Sequence, residues 1–279
     1  HIGTQSTSLL TEAAKELDAV RALGALRALA MIEDPASIPG VVDVANLPLG
    51  DDEATPETRR ADFAARIIVR AGGREHIAVL KRLAERAKAK YGPEAQTTRV
   101  FQELHAALLI VHADTALLPE IDRLYDTGSE QMRALAVLGW STVKDSDNMS
   151  RLQRALTDAS PWVRLYATKA LGPVEYQRLS ALVQPVGLSA VIDSIANNPG
   201  TTPLNESLNW YAQATPSQQD RLGDIFIKWK WKAAVQRLAP ALRGAPRDSQ
   251  ERLLRILRGI TGRDFGSAPD RYLQWANGA

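Results

Sequence analysis

The chain has 279 residues, a formal net charge of +2 at pH 7 and no cysteine. The lack of cysteine excludes disulfides, thiolate metal sites and cysteine nucleophiles. Hydrophobic residues make up 45% and charged residues 24%, as in an average globular protein, and no apolar run approaches the roughly 18 residues of a membrane-spanning helix. We therefore expect no membrane insertion, and a length that suits either two ordinary domains or one repeat array.

Charged residues change sign along the chain in blocks. Residues 1–57 carry three basic and ten acidic side chains, a net charge of −7, and residues 59–90 carry ten and three, a net charge of +7. Residues 91–220 carry nine and fourteen, a net charge of −5, and residues 221–263 carry eleven and three, a net charge of +8. Such blocks are typical of solvated faces and of contacts between neighbouring structural units.

The first predicted helix covers residues 7–32. Thr7 or Ser8 can cap its start. Its apolar side chains recur three and four residues apart, which indicates one wide apolar helix face. They are Leu10, Ala14, Leu17, Val20, Leu23, Leu26 and Leu29. We expect residues 1–33 to form an N-terminal cap helix or the second half of a first helical pair.

A helix–turn–helix unit is clearest at residues 145–174. In its turn, Asp158 and Ser160 can accept backbone hydrogen bonds, and Pro161 suits the first position of a second helix. Gly172 follows that helix as a stop signal. Apolar side chains recur at helical spacing in both halves, at Met149, Leu152 and Leu156 and then at Val163, Tyr166, Ala167, Ala170 and Leu171.

Similar units precede and follow this one. They cover residues 37–73, 76–113, 114–144 and 231–262. Residues 175–230 read as one degenerate unit that the segment NNPGTTP interrupts. An arginine lies near the predicted start of the second helix in each of the clear units, at Arg60, Arg99, Arg133, Arg164 and Arg252. One such pair cannot bury its apolar face alone, so we expect the pairs to stack.

This pattern resembles the HEAT repeat, in particular the bacterial HEAT-like repeats that also occur in phycobilin lyases. The best match consists of Leu152, Ala155, Leu156, Asp158, Ser160, Pro161, Val163, Arg164, Ala167, Ala170, Leu171 and Gly172. Weaker copies extend the resemblance over residues 34–262. The resemblance implies an all-α fold, a right-handed α-solenoid of about five to six stacked helical hairpins, in a single domain that spans residues 1–279.

The resemblance also implies a structural role for the recurring Asp and Arg. In such folds these side chains link neighbouring repeats by hydrogen bonds, which assigns Asp158, Arg164 and Arg133 to contacts between repeats. Residues 263–279 follow the last repeat, and their aromatic side chains predict a C-terminal cap that folds back over it.

The stretch FIKWKWK, residues 226–232, lies where one predicted pair ends and the next begins. Trp229 and Trp231 can both serve the core there, while the lysines between them stay in water. A basic surface for a partner is the alternative, since arginines recur every three residues in the helix that follows. The candidate partner-binding residues are Lys230, Trp231, Lys232, Arg252, Arg255 and Arg258.

No catalytic constellation emerges from the motifs. His105 and His112 are two helical turns apart, roughly 10 Å, and we interpret them as satisfied surface or core histidines. Nucleophile elbows and phosphate-binding glycine loops are missing from the sequence. We therefore predict a protein that is not an enzyme and has no catalytic residue, metal site or cofactor.

The sequence predicts a scaffold or adaptor that binds another protein on its curved solenoid surface. The alternative is a nucleic-acid-binding HEAT-like protein that uses the basic block 221–263, and a remote alternative is a phycobilin lyase-like enzyme or chaperone. His1 fits either removal of a signal peptide or a start within a longer chain. With the lack of cysteine, it favours an exported, periplasmic bacterial protein over a cytoplasmic one.

Overall fold

The structure, a computed structural model, describes residues 2–16, 18–32, 34–196 and 204–278. In these residues every regular element is a helix, so the predicted all-α fold is confirmed. None of the described helices is long and apolar enough to cross a membrane. The helices group into two compact units, residues 1–148 and 149–279. The single domain expected from the sequence stays a prediction.

The first unit consists of helical pairs. Its helices are α1 (Ile2–Lys15), α2 (Ala19–Ile32), α3 (Ile38–Asn46), α4 (Pro56–Ala71), α5 (Ile77–Tyr91), α6 (Gln96–Val111), α7 (Leu118–Thr127) and α8 (Glu130–Thr142). Each odd-numbered helix packs against the next even-numbered one. In addition, α2 packs on α4, α4 on α6 and α6 on α8, while α1 packs on α3 and α3 on α5. The core of this unit therefore lies between successive pairs.

The second unit repeats this packing. Its helices are α9 (Asn148–Ala155), α10 (Pro161–Leu171), α11 (Leu179–Val186), α12 (Leu188–Ile195), α13 (Leu204–Gln213), α14 (Pro216–Lys228), α15 (Lys232–Leu238), α16 (Arg247–Thr261) and α17 (Pro269–Gly278). Here α10 packs on α12, α12 on α14 and α14 on α16, while α13 packs on α15 and α15 on α17. The aromatic C-terminal segment is thus a helix that packs on α15, with Tyr272 fully buried.

The N-terminal segment forms two helices, so the prediction of one helix over residues 7–32 is wrong. The cause is Asp18, whose Oδ1 accepts hydrogen bonds from the backbone N–H groups of Val20 (2.9 Å) and Arg21 (3.3 Å). A carboxylate in this position caps a new helix. Thr7 and Ser8 lie inside α1 and therefore cap nothing. Since Leu17 lies outside the described residues and Val20 is exposed, the predicted continuous apolar face is not found.

Residues 175–230 hold two helical pairs instead of one degenerate unit. Gly187, with φ of 85°, separates α11 from α12. Thr215 starts α14 with a reciprocal cap, in which its Oγ1 accepts from the Gln218 N–H and its own N–H donates to Gln218 Oε1. The segment NNPGTTP, residues 197–203, lies outside the described residues. The described part of the chain therefore holds seventeen α-helices, and the number of five to six stacked hairpins stays a prediction.

Small residues let neighbouring helices approach closely. A Cβ atom on Gly139 of α8 would lie 2.6 Å from Ile110 Cδ1 of α6. The second unit shows a reciprocal arrangement, because Ile256 of α16 lies against Gly223 of α14 and Ile227 of α14 lies against Gly259 of α16. At each place an isoleucine fills the room that a side chain would need, so these glycines set how closely the helices pack.

Replacing Gly139 by valine tests this close packing. We expect Gly139→Val to lower the free energy of unfolding by about 1–3 kcal/mol, because the new side chain overpacks the contact with Ile110. Gly24→Val in α2 is the matched control, since no atom lies within 4 Å of the new Cβ, and it should change the free energy by less than about 0.5 kcal/mol. Urea denaturation followed by circular dichroism measures both, and equal effects would contradict the account.

Candidate binding groove

An open groove of about 880 Å³ lies in the first unit, between the α5–α6 pair and the α7–α8 pair. Its lining alternates in charge. The basic side chains are Lys81, Lys88, Arg99 and Arg123, and the acidic ones are Glu85, Glu94, Glu103 and Glu120. Leu124 and Met132 contribute apolar surface, and Leu109 lies beneath it. The groove therefore offers both signs of charge and has no net formal charge before His105 is counted.

Local signals in the sequence position the helices that line the groove. Asp114 starts the turn before α7 by accepting a hydrogen bond from the Leu117 N–H at 3.1 Å. Ser129 caps α8 through its Oγ, which accepts from the Met132 N–H at 3.4 Å. Gly92, with φ of 91°, ends α5, in the left-handed region that favours glycine. These caps fix where the polar faces of α5, α7 and α8 begin and end.

His105 forms a polar cluster with two side chains from other helices. Lys81 Nζ of α5 donates a hydrogen bond to Glu120 Oε1 of α7 at 2.6 Å. His105 Nε2 of α6 lies 3.7 Å from the same oxygen, which is too long for a hydrogen bond. That nitrogen is buried and has no hydrogen-bond partner among the residues that the structure describes, although the His105 side chain is 13% exposed.

The surroundings of His105 keep its ring neutral near pH 7. Burial lowers the pKa of His105 from its ordinary value of 6.5, because the low-dielectric interior disfavours the charged form. Glu120 and, less strongly, Glu85 oppose this shift, whereas Lys81 adds to it. A neutral imidazole carries one N–H donor and one lone-pair acceptor. His105 can therefore offer a hydrogen bond inside the groove without a charge.

Four charged groups of the groove remain available to a ligand. Arg99 donates to Glu94, and Lys81 is bonded to Glu120. The other four form no ion pair with any described residue, and they are Glu85, Lys88, Glu103 and Arg123. Within the described ranges, no group of three or more histidine or carboxylate side chains could hold a metal ion. The chemistry on offer is hydrogen bonding and charge pairing.

The sequence did not reveal this cluster, and the interpretation of His105 as a satisfied histidine is wrong. Its Nε2 has no partner in the described structure. The other members, Lys81 and Glu120, belong to different helices, and each looks like an ordinary solvated charge in its own helix. The one usable signal was a histidine placed between apolar positions of α6, where Phe101, Leu108 and Leu109 are buried.

The lysine–tryptophan stretch lies at a junction between helices, as the sequence predicted. Helix α14 ends at Lys228, and α15 begins at Lys232. Trp231 packs against Phe226, with ring centroids 5.6 Å apart, whereas Trp229 is 40% exposed. Only one of the two tryptophans therefore contributes to the core.

Lysines on either side of Trp231 contact the neighbouring helices. Lys230 has a left-handed backbone with φ of 50°, and its Nζ donates to the backbone oxygen of Gly259 in α16. Lys232 Nζ lies 5.7 Å from the centre of the Trp275 ring in α17, a distance typical of cation–π contacts. These contacts hold the junction against the last two helices.

The arginines predicted to bind a partner are bonded to carboxylates. Arg252 donates to Asp220 at 3.1 Å, and Arg255 donates to Asp224 at 2.6 Å and to Asp220 at 3.1 Å. Arg258 Nε lies 2.9 Å from Asp264 Oδ1. Asp220, Asp224, Asp248, Glu251, Arg252 and Arg255 line a shallow cleft of about 640 Å³. The partner-binding role of Lys230, Trp231, Lys232 and these arginines stays a prediction.

Three of the five recurring arginines occupy matching places. Arg99, Arg133 and Arg164 are each the fourth residue of their helix. Arg133 donates to the Gly128 carbonyl at 3.3 Å, and Arg164 donates to the corresponding carbonyl of Ala159 at 2.9 Å. Both bonds hold the turn of the arginine's own pair.

The contacts predicted between neighbouring pairs differ from these bonds within one pair. Arg164 also donates to the Asp158 carbonyl at 2.6 Å, and Asp158 Oδ1 accepts from the Ser160 N–H at 2.8 Å. Both of these bonds are local, so the role of Asp158, Arg164 and Arg133 between repeats stays a prediction. Buried Arg60 of α4 does reach the preceding pair, where it donates to the Glu16 carbonyl at 2.9 Å.

No family model matches the chain, and no curated protein matches its sequence.

Alanine substitution of the two tryptophans separates their roles. We expect Trp231→Ala to lower the free energy of unfolding by about 2 kcal/mol, because the ring is partly buried and pairs with Phe226. Trp229→Ala should lower it by less than about 1 kcal/mol, since the side chain already meets water. Urea denaturation compares the two variants, and a larger loss for Trp229→Ala would contradict the assignment.

The titration of His105 tests the electrostatics of the groove. We expect an NMR titration midpoint below 6.5, a further decrease in Glu120→Gln and an increase in Lys81→Met. Because the folded state binds this proton less readily than the unfolded chain, acidification through pH 6.5 should reduce stability until the folded pKa is passed. A midpoint at or above 6.5 would contradict the account, because burial would then not outweigh the effect of Glu120 and Glu85.

Proposed function

We propose that each unit is a segment of right-handed α-solenoid of the HEAT type and that the chain is a non-enzymatic scaffold that binds another protein. The packing order supports this proposal. Even-numbered helices pack on one another in sequence, from α2 to α8 in the first unit and from α10 to α16 in the second. Repeat proteins form extended binding surfaces from such nearest-neighbour contacts.

The arginine register gives independent support for a repeat. Arg133 and Arg164 share both their position in the helix and the carbonyl five residues earlier to which they donate. A shared position and a shared bond are what two copies of one structural unit would show. The pairs are therefore best explained as copies of one structural unit, as the resemblance to HEAT repeats implies.

The observation that carries the binding function is the mixed charge of the groove in the first unit. Its four unpaired charges comprise two cations, Lys88 and Arg123, and two carboxylates, Glu85 and Glu103. A protein segment brings both signs of charge together with apolar side chains, and can match such a lining. A nucleic acid brings a continuous row of phosphates, which the carboxylates would repel. The groove therefore favours a protein partner.

The arginines of the second unit support the same choice. Nucleic-acid binding draws on cations that phosphates can reach. Arg252 and Arg255 are already bonded to Asp220 and Asp224 of α14, so a phosphate would have to displace a carboxylate from each. The net charge of +8 in residues 221–263 thus overstates the positive surface that a partner meets.

Site-specific photo-crosslinking tests the proposal. A photoreactive amino acid would replace Glu103 in the groove, Glu251 in the cleft of the second unit, or exposed Lys169 of α10 as the control. We expect one protein to crosslink at Glu103 in lysate of the native source, with only background at Lys169. Nucleic acid crosslinked at Glu251, or equal yields at all three positions, would contradict the proposal.

Binding of the captured protein then provides a quantitative check. With the purified partner, Lys88→Glu combined with Arg123→Glu should weaken binding at least about tenfold. Arg255→Glu combined with Arg258→Glu makes the same two charge reversals in the second unit and should change the affinity by less than about twofold. The reverse ranking would move the binding surface to the second unit.

A further inference from the structure

The groove in the first unit has an electrostatic polarity. Short turns join α5 to α6 and α7 to α8, so the helices within each pair run in opposite directions. One end of the groove lies near the starts of α5 and α7. We call it the His105 end and define it as Lys81, Glu85, His105 and Glu120. Near the two turns lies the turn end, which we define as Lys88, Glu94, Arg99, Glu103 and Arg123. With neutral His105, the first end has one excess carboxylate and the second has one excess cation.

We propose that the His105 end binds a lysine or arginine side chain of the partner, and that the same extended segment directs an acidic side chain toward the turn end. This inference rests on the proposed function for the partner being a protein. The preference for a basic side chain follows from three groups in the groove. They are the unsatisfied His105 Nε2 and the carboxylates of Glu120 and Glu85, which act on the His105 ring.

A basic side chain satisfies these groups together. A buried polar atom without a partner is unfavourable, and His105 Nε2 is such an atom. Glu120 Oε1 lies 3.7 Å from it, so one group with several N–H donors can bond to both. Lysine has three such donors and arginine has five. Lys81, which already binds Glu120, is 41% exposed and can turn toward water.

The protonation state of His105 should then control how tightly the basic side chain binds. Burial keeps the ring neutral, so that its lone pair can accept a hydrogen bond from the ligand. The charged groups that act on the ring are Lys81 and Glu85 of α5 and Glu120 of α7. On its own helix Glu103 also faces the groove, while α8 contributes Gln131 and Met132, and no described charge of α4 lines it. Protonation of His105 would repel a basic side chain, so acidification should weaken binding.

NMR on the purified chain tests the site without the partner. The probes are two capped tripeptides, Ser-Arg-Ser and Ser-Glu-Ser, which differ only in the sign of the central charge. The chain has four histidines, so the ring signals of His105 can be assigned. We expect the arginine peptide to shift the His105 ring signals and to lower the midpoint of its titration, whereas the glutamate peptide leaves both unchanged.

Three variants separate recognition from a structural effect. Glu120→Gln should weaken binding of the arginine peptide about tenfold, while Glu94→Gln, the same change at the turn end, should alter it less than about twofold. His105→Gln keeps an acceptor but cannot titrate, so it should retain binding and lose its pH dependence. A glutamate peptide that binds as well, or a Glu120→Gln variant that binds unchanged, would overturn the proposal.

The two sets of experiments distinguish failure of the basic-side-chain site from failure of the proposed scaffold function. If the arginine peptide produces no shift in His105, the basic-side-chain site is wrong, while the crosslinking result at Glu103 still decides whether the groove binds a protein. If the peptide binds but no protein crosslinks, the site stands and the scaffold function falls.

Discussion

The burial of each even-numbered helix against the next is the constraint on which the structure depends. A single helical pair has too little apolar surface to be stable alone. In the first unit α6 is held between α4 and α8, and the contact of Gly139 with Ile110 sets how closely α8 approaches α6. The position of α6 in turn places His105 beside Glu120, so the polar cluster of the groove depends on packing in the apolar core.

This dependence explains why an unfavourable group is tolerated. His105 loses water on one side without gaining a hydrogen bond in return, and the core of the unit must offset that cost of about 1–3 kcal/mol. Apolar residues at that position would pack without such a cost. A buried unsatisfied group in a folded protein calls for an explanation, and a role in binding is one. In the proposed scaffold, the partner supplies the missing bond.

Local signals in the sequence predicted much of the fold correctly. The turn at Ser160 and Pro161 starts α10, Gly172 ends it, and the lysine–tryptophan stretch separates α14 from α15. Each of these features depends on a few adjacent residues. The break at Asp18 was missed because the apolar spacing continues across it, and one aspartate in a helical pattern is also compatible with an exposed position.

The site was less predictable than the helices. The arginines at 252 and 255 looked available in the sequence because the carboxylates of Asp220 and Asp224 belong to another helix. For the same reason His105 looked like an ordinary histidine, since Lys81 and Glu120 come from the helices on either side of α6. Such contacts depend on how pairs pack, and helical periodicity within one helix says nothing about them.

Hydrogen–deuterium exchange on the complex with a captured partner would test the central claim most directly. Binding in the groove should slow exchange in peptides from α5, α6 and α7 around Lys81, His105 and Glu120, while α14 and α16 exchange as in the free chain. Protection concentrated in α14 and α16, with none around His105, would contradict the account and place the binding surface in the second unit.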